Sequence, residues 1–332
     1  MTIAAALIAS LPMSADAAFP GRNGKLAFGL ATQLGIDLWT VEPPATTFER
    51  FSSDPLHDTE PDWSPNGRWI AFARSISPCC QNADIWIARS DGSDQRRLID
   101  HGAHDTMPSW SPDGTQIVFA SSRNDATPHG AFDFDLFVVN ADGTGLRTLV
   151  SVPDWSDEDP AWSPSGERIA FAVRCAGSCT GGRTGIRAVA VDGTGERAVT
   201  PLNRLAIDPD WSPDGSLLGY SSGTALFTVN PDGGTPMALP ASPHRRTEPT
   251  WSPDGTRIAF SGMFLGHMNL DGTAFEPLSA GAAGGLSWQP LGPQRSDFRN
   301  GPAFCRAERE FLGERDFDAQ YATFGKCVSG KS

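Results

Sequence analysis

The pentapeptide Trp110-Ser-Pro-Asp-Gly114 recurs along the chain at nearly even spacing. Related copies begin at Trp63, Trp162, Trp211 and Trp251, so successive tryptophans are 47, 52, 49 and 40 residues apart. Repeats of this length are typical of β-propeller blades. The spacing therefore predicts an all-β protein whose four-stranded antiparallel blades are arranged radially.

Each position of the pentapeptide suits a tight turn between two strands. Proline presets φ, serine and aspartate bond nearby backbone groups, and glycine takes the positive φ that closes the turn. An alternating stretch such as Ile117-Val-Phe119 follows each copy and predicts a half-buried second strand. We expect each tryptophan to pack between neighbouring blades, because its indole offers a wide apolar face.

The repeat count predicts six blades. A third strand such as Asp84-Ile-Trp86 and a second turn such as Asp91-Gly92 complete a repeat. A less regular copy covers residues 19–28, and Leu286-Ser-Trp288 matches the first strand of a repeat that goes no further. We expect the strand near Trp288 to pair with the first repeat, because this closure removes unpaired strand edges. The predicted propeller spans residues 18–291.

These motifs resemble the TolB-like family of WD-repeat-like β-propellers, and the resemblance covers about residues 19–291. It implies an extracytoplasmic propeller that binds other macromolecules. We expect a protein, peptide or glycan partner in the cell envelope or outside the cell. Binding residues often lie on loops above a rigid scaffold. The long loops of blades 2, 3 and 4, at residues 77–81, 124–132 and 175–185, therefore predict a binding face above those blades.

Both ends of the sequence differ from the repeats. Residues 1–17 contain a short apolar run and end in Ala15-Asp16-Ala17, which predicts a signal peptide and a secreted or periplasmic protein. No segment after it is long and apolar enough to predict a transmembrane helix. Residues 292–332 are interpreted as a linker and a C-terminal tail, with a short helix predicted over Cys305–Gly313.

Six cysteines in an exported chain favour disulfide bonds. Pairs close in sequence are Cys175 with Cys179 and Cys305 with Cys327, which leaves Cys79 and Cys80; other pairings remain open. A four-cysteine zinc site is the rival interpretation. It is disfavoured because no C-x-x-C spacing occurs in the sequence.

The acidic composition limits the class of partner. The net charge is −13 and the isoelectric point is about 4.8. Nucleic-acid binding is disfavoured, since phosphate contacts require a basic surface. Cations, basic partners and simple solubility remain compatible with this charge. We expect a monomer.

Acidic residues and histidines precede several repeat tryptophans. The candidate binding residues are His57, Asp58, Glu60, His104, Asp105, Asp157, Asp159, Asp208 and Glu248. Their recurrence at one place in the repeat predicts that they converge near the mouth of the propeller channel. Histidine and carboxylate ligands can hold a divalent cation. The favoured alternative is that these residues bond backbone groups along a hydrated channel, with no cofactor.

No catalytic motif accompanies these residues, so no catalytic residue is assigned. The sequence lacks H-E-x-x-H, a P-loop and G-x-G-x-x-G after a strand. The first hypothesis is a non-catalytic propeller that binds its partner through the loop face. The alternative is a metal-assisted hydrolase, lactonase or lyase with its site at the carboxylate-lined mouth. A purely structural role in the envelope is the third.

Overall fold

The computed structural model describes residues 21–32, 35–44, 47–52, 56–75, 82–124, 133–175, 184–202, 205–240, 246–262, 264–280, 283–292, 301–321 and 326–327. Within these residues, strands form six antiparallel sheets of four strands each. The predicted six-bladed propeller is confirmed. The predicted signal peptide, Cys79, Cys80, Cys179 and most of the three long loops lie outside the described residues.

The strands follow the repeats in chain order. Blade 1 begins with β1 (Arg22–Ala31), β2 (Ile36–Val41) and β3 (Glu49–Arg50). Blades 2 and 3 comprise β4 (His57–Trp63), β5 (Trp69–Ser75), β6 (Asp84–Arg89), β7 (Arg96–Arg97), β8 (Asp105–Trp110), β9 (Gln116–Ser121), β10 (Asp135–Asn140) and β11 (Arg147–Val150). Blades 4 and 5 comprise β12 (Trp155–Trp162), β13 (Arg168–Cys175), β14 (Thr184–Ala190), β15 (Arg197–Ala198), β16 (Ala206–Trp211), β17 (Leu218–Ser222), β18 (Ala225–Val229) and β19 (Met237–Ala238). Blade 6 comprises β20 (Arg246–Trp251), β21 (Arg257–Gly262), β22 (Phe264–Asn269) and β23 (Glu276–Ala280), and the last strand is β24 (Ala283–Leu291).

The last strand closes the ring as predicted. β24 pairs antiparallel with β1 and becomes the innermost strand of blade 1, with Trp288 opposite Leu26. Trp288 thereby takes the place in blade 1 that the repeat tryptophans take in blades 2–6. Its indole N–H donates to the carbonyl of Gly24 at 3.1 Å.

The hydrophobic core lies between the blades. Each of six buried clusters combines residues of two successive blades, as where Trp110 of blade 3 packs with Ala71 and Ile85 of blade 2. The repeat tryptophans are at most 6% exposed, which confirms their predicted position between blades. Neighbouring blades therefore stabilise one another through these clusters, while the inner strands line the channel.

The repeated turn has the predicted chemistry. The Gly114 N–H donates to the Ser111 carbonyl at 2.9 Å, and Gly114 has a φ of 67°. The Ser111 hydroxyl donates to Asp113 at 2.6 Å and accepts the N–H of Gln116 at 2.9 Å. The aspartates of these turns are therefore part of the scaffold.

The tail helix is longer than predicted. α1 (Gly301–Tyr321) starts within the predicted linker and continues past Gly313. One glycine inside a helix costs only about 1 kcal/mol, so Gly313 does not end it. The predicted Cys305–Cys327 disulfide is confirmed, and both cysteines are buried with Phe304 and Leu312. No helix in the described ranges is long and apolar enough to cross a membrane.

Candidate functional site

Each inner strand carries an irregularity three residues before its tryptophan. The residues there have φ between 50° and 60°, and the strand register shifts beside them. Such bulges re-aim side chains, and here the equivalent residues of all six blades line one cavity. We call these residues the mouth ring: Glu60, Met107, Asp159, Asp208, Glu248 and Gly285. The residues directly before the tryptophans form the inner ring: Asp62, Ser109, Ala161, Asp210, Thr250 and Ser287.

The mouth ring is tied together by hydrogen bonds from each blade to the next. The side chain of one ring member accepts the backbone N–H of the following member. The bonds run from Met107 to Glu60 (2.8 Å), Asp159 to the Met107 sulfur (3.3 Å), Asp208 to Asp159 (3.3 Å), Glu248 to Asp208 (3.3 Å) and Gly285 to Glu248 (3.0 Å). Four carboxylates are thereby held at one level of the channel.

Gly285 allows the ring to close. It has no side chain to offer the next blade, and its backbone approaches that of Glu60. A Cβ atom at Gly285 would lie 2.5 Å from the Cα of Glu60. Glycine is therefore required here both for the φ of 60° and for the close approach.

The inner ring repeats this arrangement one step deeper. Asp62 accepts the Trp110 N–H at 2.8 Å and the Ser287 hydroxyl at 3.0 Å. Asp210 accepts the Trp251 N–H at 2.8 Å. Asp62 and Asp210 are not among the residues predicted from the sequence to form the site. Their position two residues after Glu60 and Asp208 in an alternating strand was the signal that could have identified them.

Six carboxylates therefore face one cavity of about 260 Å³, and the described residues that line it include no lysine, arginine or histidine. Burial raises the pKa of Asp62 to about 7, of Glu248 to about 7 and of Asp210 to about 6. Burial also raises the pKa of Asp159, and the neighbouring carboxylates Asp208, Glu158 and Glu60 raise it further. Simultaneous ionisation of all six carboxyl groups is therefore unfavourable.

The predicted His-Asp pairs lie away from this cavity. The Nδ1 atoms of His57 and His104 accept the backbone N–H groups of Ile36 and Ala83, each at 3.1 Å. These bonds join neighbouring blades. Burial lowers the pKa of His104 to about 4, which keeps its ring neutral at physiological pH.

The aspartates that follow these histidines are also buried. Asp58 forms two bonds with the Arg74 guanidinium, at 2.6 and 2.7 Å. Asp105 forms an equivalent ion pair with Arg123 at 2.8 Å. Asp157 occupies the same position in blade 4 and is likewise buried. The structure thus brings together Glu60, Asp159, Asp208 and Glu248 of the predicted site at one cavity. The other five residues lie outside it: the two histidines bond the preceding blade, and Asp58 and Asp105 pair with arginines of their own blades.

A bound divalent cation requires several ligands that converge on one point. Among the residues that the structure describes, no group of three or more His, Cys, Asp or Glu side chains is arranged to hold a metal ion. The mouth-ring carboxylates each bond a neighbouring backbone N–H. This geometry presents negative charge to a ligand without a preformed chelate.

Comparisons with known proteins agree with the fold. No family model matches the chain. The Tol-Pal system protein TolB of Rhizorhabdus wittichii is 38% identical over 81 residues, which cover 24% of this chain and only 17% of that protein. The crystal structure of TolB from Acinetobacter baumannii superposes with a TM-score of 0.64 and 17% identity, covering 80% of this chain and 67% of that chain.

A solved enzyme shares the same architecture. Oligogalacturonate lyase in complex with manganese superposes with a TM-score of 0.53 and 14% identity, covering 80% of this chain and 77% of that chain. Identities this low show a common fold and do not assign an activity. By its repeats, its ring closure and these likenesses, the chain is a six-bladed β-propeller whose fold is similar to that of the propeller of TolB.

Proposed function

We propose that this protein is a non-catalytic, extracytoplasmic propeller that binds a protein or peptide partner and takes a cationic group of that partner into its channel mouth. The observation that carries the proposal is the convergence of six carboxylates on one cavity that has no basic side chain among its described lining residues. The likeness to TolB proteins supports a protein-binding role in the cell envelope.

The electrostatics of the cavity favour a cation. The buried carboxylates repel one another, and a positive charge among them offsets both this repulsion and the cost of burial. Ammonium and guanidinium groups also supply several hydrogen-bond donors, which carboxylates accept strongly. A basic side chain of the partner therefore matches the mouth in charge and in hydrogen bonding.

The size of the cavity favours a single side chain over a larger ligand. Its volume of about 260 Å³ is below the range of about 300–1,000 Å³ typical of small-molecule pockets. The mouth ring lies toward the beginning of the inner strands, on the side of the crossovers between blades. We propose that the partner's main contacts are with the loops on this side above blades 2–4.

A four-amide variant tests the mouth directly. It combines Glu60→Gln, Asp159→Asn, Asp208→Asn and Glu248→Gln, and each amide oxygen can still accept the N–H of the next blade. The matched control removes the same charge from exposed turns, through Asp91→Asn, Asp142→Asn, Asp192→Asn and Asp271→Asn. Binding of a fluorescein-labelled pentalysine peptide is measured by anisotropy at low salt.

We expect the four-amide variant to lose at least tenfold in affinity and the control variant to retain most of it. Equal losses of affinity in both variants would mean that peptide binding depends only on the net charge of the protein. Failure of the wild-type protein to bind the peptide would also refute the proposal for the mouth.

The same variants separate binding from metal-assisted catalysis. Melting temperatures are measured after EDTA treatment and after addition of Ca²⁺, Mg²⁺, Mn²⁺ or Zn²⁺, because a ligand that binds only the folded state raises them. A saturable rise that the four-amide variant lacks would favour the hydrolase, lactonase or lyase alternative. Unchanged melting temperatures in every ion would leave the non-catalytic proposal as it stands.

A further inference from the structure

The blades can be compared with one another at the residue that lies five positions before the repeat tryptophan. Asp58 occupies this position in blade 2, and the guanidinium of Arg74 neutralises it from the neighbouring strand. The guanidinium also stacks on two aromatic rings, 5.1 Å from the centre of Phe72 and 4.7 Å from that of Trp86. The blade thus contains a complete buried site for a guanidinium cation, filled by its own side chain.

Blade 3 contains the same site. Arg123 pairs with Asp105 at 2.8 Å and stacks over Phe119 at 5.3 Å and Phe137 at 4.7 Å. The arginine comes from a position further along the chain than Arg74 does, yet it bonds the equivalent aspartate. In both blades an arginine therefore pairs with the aspartate five residues before the tryptophan, although the two arginines come from different positions of the repeat.

Blade 4 keeps the carboxylate without that cation. The residue opposite Asp58 is Arg74, whereas the residue opposite Asp157 is Val173. The adjacent Arg174 pairs with Glu158 instead. Asp157 is only 1% exposed, and within the described part of the chain its Oδ2 atom has no hydrogen-bond partner. A buried acceptor without a partner is rare in folded proteins and requires an explanation, of which a bound ion is one.

The carboxylates around Asp157 make a negative charge on this buried residue still more unfavourable. Burial, together with the carboxylates of Glu196, Asp135 and Asp133, raises its pKa to about 8. Arg187 opposes them, but it already forms an ion pair with Glu196 and lies over the Trp155 ring at 5.7 Å. This arginine is therefore shared between Asp157 and another carboxylate.

We propose that Asp157 marks a cation-binding site between blades 3 and 4, in which a bound cation takes the role of Arg74 and Arg123 in the preceding blades. The site is separate from the channel mouth and goes beyond the proposed function. Its ligand is a small cation that bonds a carboxylate, either an organic guanidinium or ammonium group or an inorganic ion. An inorganic ion would complete its shell with water and backbone oxygens.

Two substitutions in blade 4 test the proposal. Asp157→Asn removes the charge, and Val173→Arg supplies the guanidinium at the position where Arg74 stands in blade 2. The probes are methylguanidinium at low millimolar concentration and, separately, CaCl₂, with the melting temperature as the readout. Glu248→Gln serves as the matched control, because it changes a carboxylate of the channel mouth and leaves blade 4 intact.

We expect one of the two probes to raise the melting temperature of the wild-type protein and of Glu248→Gln saturably, by about 4 °C or more. Both blade 4 variants should respond clearly less than Glu248→Gln does, and Val173→Arg should melt higher than the wild type without any probe. The probe whose response depends on Asp157 identifies the ligand as organic or inorganic. If neither probe acts on the wild type, or if Asp157→Asn responds as strongly as Glu248→Gln does, the site does not exist. A response lost only in Glu248→Gln would assign the cation to the channel mouth and refute the site at Asp157. If Val173→Arg does not fold, the comparison of Asp157→Asn with Glu248→Gln decides alone.

Discussion

Replacing Asp210 by asparagine should stabilise the protein at pH 8 and have little effect at pH 4. Asp210 is half-buried in the inner ring, and its carboxylate accepts the Trp251 N–H at 2.8 Å. Burial raises its pKa from 3.8 to about 6 in spite of this bond. Asparagine offers the same acceptor without the charge, so the substitution removes the cost of burying a carboxylate.

The size of the effect follows from the pKa difference. One pKa unit corresponds to about 1.4 kcal/mol, so ionised Asp210 costs about 3 kcal/mol at pH 8. Between pH 4 and pH 6 the folded state binds more protons at this group than the unfolded state does. Stability from this group is therefore present at low pH and is lost as the pH rises through this window. The advantage of Asp210→Asn should fall from about 3 kcal/mol at pH 8 to about 0.5 kcal/mol at pH 4.

Urea unfolding monitored by tryptophan fluorescence at pH 8, 6 and 4 measures this advantage. Asp214→Asn in the same blade is the control. Asp214 accepts the Ser212 hydroxyl at 2.6 Å and the Ser216 N–H at 3.0 Å, and these bonds lower its pKa. Asp214→Asn should therefore be destabilising, by an amount that stays constant between pH 8 and pH 5. If Asp210→Asn is no more stable than the wild type at pH 8, burial does not penalise the charge and the reasoning is wrong.

Three further substitutions probe the scaffold. Gly285→Ala should cost at least about 1 kcal/mol more in unfolding free energy than the control Gly223→Ala. Both glycines have a positive φ, but of the two only Gly285 lies against a neighbouring backbone. Equal costs would contradict the close approach of Gly285 to Glu60. Asp58→Asn should cost about 3–5 kcal/mol in unfolding free energy, since it removes the carboxylate charge that the buried Arg74 guanidinium pairs with. Asp232→Asn breaks exposed pairs and should cost under about 1 kcal/mol in the same denaturation assay. Cys305→Ser removes a disulfide between residues 22 positions apart and should destabilise the tail by about 3 kcal/mol. Limited proteolysis would detect this as faster cleavage after residue 300 while the propeller stays intact. Unchanged cleavage would show that the disulfide does not stabilise the tail.

The fold was predictable because its information is local and repeated. A proline and a glycine at fixed places define each turn, and a tryptophan before each turn defines each blade interface. Even the ring closure was visible, since Leu286-Ser-Trp288 has the features of an inner strand. The carboxylates Glu60, Asp159, Asp208 and Glu248 occupy one position of the repeat, so the symmetry of the ring placed them together.

The sorting of the remaining candidates was not predictable from the repeat. His57 and Asp58 stand next to Glu60 in sequence, but the bulge at Glu60 breaks the strand alternation and separates their environments. The partner of Asp58 is Arg74, on the next strand, and the partner of Asp105 enters from yet another position. Such pairings depend on side chains that meet only after the blades have formed. The tail helix continues past the predicted end at Gly313, because a single glycine inside a helix costs only about 1 kcal/mol.

The closure of blade 1 by β24 has a consequence for biosynthesis. Every other blade is a contiguous segment that can form as soon as its own residues have left the ribosome. Blade 1 must wait with an uncovered edge on β1 until residues 283–291 are made, more than 250 residues later. Contacts of such long range slow folding, and exposed strand edges invite pairing with other chains. The unclosed chain is therefore most exposed to aggregation through its first blade, and the pairing of β24 with β1 removes this exposure.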